Sequence, residues 1–321
     1  MTEYGYHASH EQLGPETLLE TVRLAEKAGL DQAMCSDHFA PWSKRQGHSG
    51  QAWVWLGAAM ATTSLRMGVV SAPGDRYHPA VLAQSAATMA RMFPARFWLA
   101  LGSGQALNEH VTGRGWPDKA TRNKRLAECA HVMRALLAGE TVSHDGLVRV
   151  DRARLWSLPE QPPPILGAAV TPPSAADVAV WSDGLITINQ VGDAQADTLR
   201  AYRDAGGTGP GVLQVHLSWA NDHATALEIA CDQWREPILG GDVDWELTLP
   251  EHFEGAGRFI DADTVESFVR VSLDLDEHAD WLRHQAELGF DRIMIHHVGK
   301  DQRPFIEAFG EHVLPQLRTS P

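Results

Sequence analysis

The chain has 321 residues, which is long for one ordinary domain but usual for one barrel of alternating strands and helices. Its 41 acidic and 27 basic side chains give a formal charge of -14, which argues against a nucleic acid or an anionic membrane as a partner. The three cysteines show no CxxC spacing, no apolar run approaches roughly 18 residues, and residues 1–12 do not resemble a signal peptide, so we expect a cytoplasmic protein.

The first half of the chain alternates short apolar segments with helical ones. Pro15 at the first position and Gly29 after the last position bound the first predicted helix. The predicted strands cover 3–8, 31–36, 65–70 and 97–101, and the predicted helices cover 15–28, 52–63, 79–92 and 119–139.

The second half contains four more predicted strands and two insertions. Asp145-Gly146 between two alternating runs predicts a hairpin within an insertion at about 140–164, and a segment rich in Gly, Asp and Pro predicts another at about 236–262. The strands are predicted at 164–169, 184–188, 212–219 and 292–297. Eight strands with intervening helices predict a single (β/α)8 TIM barrel domain over residues 1–321.

The residues that follow the predicted strands are candidates for an active site, because this site lies at the carboxyl ends of barrel strands. The stretch "CSDHFAPW" places Asp37, His38 and Trp42 after the second strand. A carboxylate beside His38 can fix its tautomer or raise its pKa, and Trp42 can wall a flat ring. The alternative is that Asp37 caps the loop and His38 is a surface group.

The stretch "LGSGQALNEH" follows the fourth predicted strand. Gly102 and Gly104 allow the backbone to approach a ligand closely, and Ser103 offers a hydroxyl group. Leu107 stands where a dinucleotide fingerprint would have its third glycine, so this stretch is not such a motif. The other residues predicted to lie at the mouth include His10, Ser71, Ala72, Asn108, Thr171, Asn189, Gln190, His296 and His297.

Five histidines in or after the predicted strands raise the question of a metal site, namely His10, His38, His216, His296 and His297. No HxH pattern follows the first strand. His296 and His297 are adjacent, so their side chains point to opposite faces of a strand. The spacing therefore predicts no metal, and a metal-dependent barrel hydrolase is the least favoured function.

Residues 35–42, 68–113 and 185–190 together resemble the luciferase-like barrel superfamily, in particular the branch of the deazaflavin-dependent glucose-6-phosphate dehydrogenases. Within that branch, residues 165–190 are most similar to a subgroup suspected of using an ordinary flavin. The resemblance implies an oxidoreductase in which Asp37 and Asn108 contact the cofactor ring and His38 and Trp42 flank the substrate. It also implies that His38 is the general acid/base and that the Ser71–Ala72 peptide is cis, behind the ring.

Two positions depart from that branch. Gln105 stands where a glutamate is the proposed proton donor to the reduced deazaflavin, and an amide has no proton to give in acid catalysis. Gln190 replaces the lysine that holds the sugar phosphate. We therefore expect FMN in preference to the deazaflavin coenzyme F420, in a homodimeric enzyme of the luciferase-like monooxygenase class that acts on a small organic substrate. The alternatives are an F420-dependent dehydrogenase and a flavin-binding barrel without turnover.

Overall fold

The computed structural model describes residues 1–240 and 243–318. Its strands are β1 (Glu3–Ala8), β2 (Gln32–Ser36), β3 (Arg66–Ser71), β4 (Phe97–Leu101), β5 (Val142–Asp145), β6 (Arg149–Ala153), β7 (Ile165–Ala168), β8 (Leu185–Ile188), β9 (Gly211–Trp219), β10 (Arg270–Ser272) and β11 (Arg292–His297).

Eight of these strands form a closed parallel barrel. Around the ring the order is β1-β2-β3-β4-β7-β8-β9-β11, and the pairing of β11 with β1 closes it. The predicted (β/α)8 TIM barrel is therefore confirmed, and each predicted strand corresponds to one strand of the ring.

Helices surround the ring and connect its strands. They are α1 (Pro15–Lys27), α2 (Ala52–Thr62), α3 (Pro79–Met92), α4 (Ala106–Glu109), α5 (Lys119–Leu137), α6 (Pro172–Ala179), α7 (Ala194–Asp204), α8 (His223–Trp234), α9 (Val243–Glu246), α10 (Pro250–Gly257), α11 (Ala262–Phe268), α12 (Leu275–Glu287), α13 (Gln302–Ala308) and α14 (Leu314–Arg318). None of the helices in the described ranges is both long and apolar enough to cross a membrane.

The first helix begins and ends as its sequence predicts. Pro15 occupies the first turn, where its missing N–H removes no helical hydrogen bond. Gly29 follows the last turn with a φ of 94°, a left-handed conformation that costs glycine little. Between these residues, Leu18 and Val22 are completely buried against the barrel.

The strands separate an inner core from an outer one. All five residues of β4, "FWLAL", are buried, as expected for a parallel strand covered on both faces. Inside the ring, one apolar cluster contains Met34, Trp98, Ala100, Leu166, Ile186, Val212 and Met294. A larger cluster fills the layer between the strands and the helices.

Three strands lie outside the ring. β5 and β6 form an antiparallel hairpin, as Asp145-Gly146 predicts, and Gly146 N–H donates to the Val148 carbonyl in its turn. β10 pairs with β9 and was not predicted, because three residues are too few to show a strand pattern. Residues between β9 and β10 form α8–α11, so the region 236–262 is largely helical.

Gly68 on β3 tests how tightly the inner core is packed. A Cβ atom there would lie 2.1 Å from Trp98 Cε2, so Gly68→Ala should lower the free energy of unfolding by about 1–3 kcal/mol. Gly57→Ala is the matched control, because no heavy atom lies within 4 Å of its Cβ position in α2. The control should be neutral or stabilising by up to about 1 kcal/mol. Urea denaturation measures both, and equal stability of the two variants would contradict this packing.

Candidate active site

One large cavity opens at the carboxyl ends of the barrel strands. Its volume is about 1390 Å³, above the usual range for small-molecule pockets. All the predicted catalytic and cofactor-binding residues line this cavity, although they come from five loops along the chain. His10, His296 and His297, which were also predicted to lie at the mouth, do not line it. The carboxyl ends of the strands therefore form the predicted mouth, and the residues that line it differ in their contacts.

Asp37 is buried and its carboxylate is bonded to neighbouring loops. Ser71 Oγ donates to Asp37 Oδ2 at 2.7 Å, while Arg76 Nη1 and Tyr77 Oη lie 3.1 and 3.2 Å from Oδ1. Trp53 Nε1 in turn donates to Ser71 Oγ at 3.0 Å. Asp37 thus joins β2 to the loop after β3, and its partners are not the histidine beside it.

The carboxylate next to His38 is Glu11, which follows β1. His38 Nδ1 lies 3.1 Å from Glu11 Oε1, and the hydroxyls of Ser9 and Ser36 donate to the same carboxylate at 2.7–2.9 Å. Burial alone would raise the pKa of Glu11, but His38, His7 and Ser36 outweigh burial and lower that pKa to about 2. Glu11 is therefore ionised at neutral pH and can orient His38.

Sequence reasoning missed Glu11 and expected Asp37 to be the partner of His38. That expectation was wrong because adjacent residues at the end of a strand point in different directions. The only signal was the position of Glu11 just beyond the first predicted strand, one residue after the His10 that we considered.

Trp42 forms an aromatic wall beside His38. The two ring centroids lie 5.3 Å apart, and the Trp42 ring packs edge-on against Phe253 at 5.1 Å. The backbone N–H of Trp42 donates to Gln46 Oε1, and this hydrogen bond fixes the loop that carries the ring. The indole is therefore held at the cavity wall from both sides.

Asn108 connects the loop after β4 to the loop after β2. Its Oδ1 accepts a hydrogen bond from the Phe39 N–H at 2.8 Å, and its Nδ2 donates to Gln105 Oε1 at 3.3 Å. Both side chains line the cavity. Asn108 thus orients Gln105 and the backbone after His38.

Small residues from the loops after β3 and β4 also line the cavity. Ala72, Gly102, Ser103 and Gly104 line it, and Gly104 has a φ of 84°. The Ser71–Ala72 peptide is trans, so the expected cis peptide is wrong. We expected a trans bond to push the carbonyl into the site, but the Ser71 carbonyl instead accepts the Gly102 N–H at 3.0 Å.

Three predicted cofactor contacts lie across the mouth and are bonded within the chain. Thr171 Oγ1 donates to Ser174 Oγ at 3.0 Å, and Gln190 Nε2 donates to the Val170 carbonyl at 3.0 Å. Asn189 Nδ2 donates to the Phe268 carbonyl at 2.8 Å, while its Oδ1 accepts the backbone N–H of His216. Asn189 thus positions His216.

A row of buried histidines, His7, His296 and His216, crosses the adjacent strands β1, β11 and β9. The ring of His296 lies 4.7 Å from that of His7 and 5.5 Å from that of His216. Burial lowers the pKa of His7 to about 4 and that of His216 to about 3, and it holds the pKa of His296 well below its usual value. From the sequence we considered His216 and His296 as metal ligands and rejected them, and we did not identify His7. Within the described ranges, no group of three His, Cys, Asp or Glu is arranged to hold a metal.

Comparison with known sequences identifies related proteins over nearly the whole chain. The profile of the luciferase-like monooxygenase family matches residues 2–292. The chain is 34% identical to an F420-dependent glucose-6-phosphate dehydrogenase of Microbacterium testaceum, over 98% of this chain and 97% of that protein. It is also 34% identical to the enzyme of the same description from Beutenbergia cavernae, over 99% of this chain and 98% of that protein.

Comparison with solved structures gives matching folds. An F420-dependent secondary alcohol dehydrogenase, solved with an F420-acetone adduct, has a TM-score of 0.92 and 27% identity over 99% of both chains. The F420-dependent tetrahydromethanopterin reductase of Methanopyrus kandleri has a TM-score of 0.78 and 18% identity over 98% of this chain and 99% of that one. The second likeness establishes a shared fold alone.

The buried histidines predict a stability that falls in mild acid. Burial lowers the pKa of His7 to about 4 and that of His297 to about 3, whereas an unfolded histidine titrates near 6.5. Below pH 6.5 the unfolded chain therefore binds more protons, so stability present above that pH is lost as pH falls. Each such histidine should lower the free energy of unfolding by about 2 kcal/mol as the pH falls from 7 to 5.

Urea denaturation at several pH values tests this expectation. His297→Gln removes one buried imidazole and should reduce the loss between pH 7 and pH 5 by about 2 kcal/mol. His252→Gln, at an exposed position in α10, should leave the loss unchanged. An unfolding free energy that is constant over this interval would contradict the burial of neutral imidazoles.

Proposed function

The chain belongs to the luciferase-like monooxygenase family, and we propose that it is an oxidoreductase that uses the deazaflavin coenzyme F420 to interconvert a small alcohol and its carbonyl compound. The observation that carries this proposal is the Glu11–His38 pair, in which Glu11 is buried and His38 is partly exposed, in a cavity that small residues also line. The full-length relatives named above depend on F420, which supports this coenzyme and not the FMN that we expected from Gln105.

The residues of the cavity fit a flat ring with a longer tail. Ala72, Gly102 and Gly104 have no side chain beyond Cβ, so they leave room for a ring, and Ser103 and Gln105 offer polar groups at its edge. Thr171 would contact the tail of the coenzyme and Trp42 would contact a small substrate, since both line the same cavity. When bound, the coenzyme supplies a two-electron hydride acceptor or donor.

His38 and Glu11 provide the proton chemistry in this proposal. As an alcohol becomes a carbonyl, its carbon loses a hydride and its hydroxyl loses a proton. His38 takes that proton, and the ionised Glu11 stabilises the imidazolium that forms and fixes its orientation. Trp42 and the loop held by Asn108 position the substrate and exclude water.

The free cysteines support a cytoplasmic location, and the cavity volume supports binding of a coenzyme and a substrate at the same time. Cys35, Cys129 and Cys231 are free thiols, which suits a reducing cytoplasm. The cavity volume accommodates a coenzyme and a small molecule together.

Substitution of His38 tests the assignment of the general acid/base. His38→Ala should lower kcat by about 10²–10⁴-fold while the Kd for F420 changes only a few-fold, because the imidazole moves a proton and does not hold the ring. Glu11→Gln should also lower kcat, while the Kd for F420 stays nearly unchanged. Anaerobic reduction of F420 by alcohols and a fluorescence titration of the coenzyme measure the two constants. Equal losses of binding and rate would make His38 a cofactor ligand instead.

Gln105 tests whether the coenzyme reaction lacks an acid. In Gln105→Glu, the carboxylate can still accept the hydrogen bond from Asn108 Nδ2, so the loop geometry is retained. The new carboxyl group can carry a proton, and we expect kcat with F420 to rise about tenfold or more. Gln105→Leu, which cannot accept the Asn108 bond, is the control for a merely structural effect. A lower rate in Gln105→Glu would contradict the proposal that the coenzyme reaction lacks an acid. F420 binding without turnover in all variants would favour a flavin-binding barrel without catalytic activity.

A further inference from the structure

The part of the cavity wall formed by β1 and β9 carries uncharged polar side chains. His7 on β1 and Gln214 and His216 on β9 line the cavity, together with the indole of Trp234. β11 lies between these two strands in the ring, and β2, which carries His38 after its end, lies on the other side of β1. This neutral polar wall therefore adjoins the Glu11–His38 pair.

His7 has a buried ring nitrogen without a hydrogen-bond partner among residues 1–240 and 243–318. Its side chain lines the cavity, and its Nδ1 has no hydrogen-bond partner in the described chain. The neighbouring His296 is occupied, because its Nε2 lies 2.7 Å from Gln12 Oε1. Burial keeps His7 uncharged at neutral pH, so the ring offers one donor and one acceptor. A buried polar side chain that faces a ligand cavity without a partner indicates a ligand group to pair with it.

Gln214 is fixed by a chain of hydrogen bonds whose direction can be read. Asn189 Nδ2 donates to the Phe268 carbonyl, so Asn189 Oδ1 accepts from His216 N–H and from His216 Nδ1 at 2.9 Å. The neutral His216 therefore carries its proton on Nδ1, and its Nε2 accepts from Gln214 Nε2 at 3.1 Å. Gln214 is thus held as a neutral amide at the cavity wall.

The cations that line the cavity lie on its other side. Among the described lining residues, the cationic side chains are all on α5, namely Lys119, Arg122 and Lys124. This helix follows β4, which lies across the ring from β11. Arg122 is paired with Glu246 at 3.0 Å, and Lys119 and Lys124 are exposed. A substrate phosphate or carboxylate beside His38 would therefore meet the anionic Glu11 and neutral imidazoles.

We infer that the neutral polar wall of His7 and Gln214 determines substrate specificity, and that the substrate is an uncharged alcohol carrying a second neutral hydrogen-bonding group such as a hydroxyl. This inference rests on the proposed function and narrows its substrate class. His7 and Gln214 pair with the second group, while His38 receives the proton of the hydroxyl that is oxidised. A substrate without the second group leaves buried polar atoms unpaired, and one with an anionic group pays for desolvation without a cation.

Three alcohols of nearly equal size test whether the site prefers a second hydroxyl, no second polar group or an anionic group. Propylene glycol carries a second hydroxyl, isopropanol carries none, and lactate carries a carboxylate. We expect kcat/KM for reduction of F420 to be about 10–100-fold higher with propylene glycol than with isopropanol, and lower still with lactate and glucose 6-phosphate. Preference for lactate or glucose 6-phosphate would overturn the inference while leaving the proposed function intact.

Binding of the same compounds, observed by ligand NMR, gives a readout that does not depend on turnover. A coenzyme titration with F420 alone tests the proposed function separately. If F420 does not bind, the proposed function fails, and the inference is then decided by whether propylene glycol binds in preference to lactate. Equal or stronger binding of lactate would overturn it.

His7 variants test the assignment of the wall. His7→Phe keeps an aromatic ring but removes hydrogen bonding, so it should abolish the preference for propylene glycol over isopropanol. His7→Gln keeps a neutral donor and acceptor and should retain most of that preference. His297→Gln is the control, because His297 is buried against Phe305 and does not line the cavity. Equal losses with both alcohols in His7→Phe would show a structural role and overturn the assignment.

Discussion

The buried charge network around Arg76 is the constraint on which the mouth of the barrel depends. Arg76 lies 3.1 Å from Asp37 Oδ1 and 3.5 Å from Glu109 Oε1, and its backbone N–H donates to Glu109 at 2.8 Å. Burial raises the pKa of Glu109, and Arg76 opposes that rise. Loss of one partner from such a network typically costs about 3–5 kcal/mol, because the other charge stays buried. The network thus fixes the loops after β2, β3 and β4 relative to one another.

This network explains why two carboxylates near one histidine have different roles. Asp37 is hydrogen-bonded to Ser71, Arg76 and Tyr77, so it holds the loop that carries the small residue Ala72. Glu11 has no arginine partner among the described residues and is instead surrounded by hydroxyls and His38. The first carboxylate is structural, whereas the second can respond to a change in the charge of the imidazole.

The electrostatic character of the cavity changes across its width. Exposed lysines lie at the start of α5, where an anionic tail would be favoured, while neutral imidazoles lie on β1, β11 and β9. Burial keeps these imidazoles uncharged, so they present hydrogen-bonding groups without attracting anions. The two sides of the cavity therefore favour ligands of different charge.

Much of the fold could be predicted from the sequence alone, because its information is local. Runs such as "FWLAL" and the bounding Pro15 and Gly29 determine strands and helices through periodicity and backbone geometry, and the strand-end rule then gathers the candidate residues at one mouth. β10 escaped prediction because it is only three residues long and depends on pairing with β9.

Only the tertiary structure decided how the site residues pair. Whether His38 meets Asp37 or Glu11 depends on the rotation of side chains at two neighbouring strand ends, and sequence spacing does not encode that rotation. The row of His7, His296 and His216 likewise depends on the register of strands far apart in the chain. The sequence determined the barrel and the location of its mouth, because these follow from local patterns. The partners inside the mouth follow from contacts between distant segments, which only the folded chain brings together.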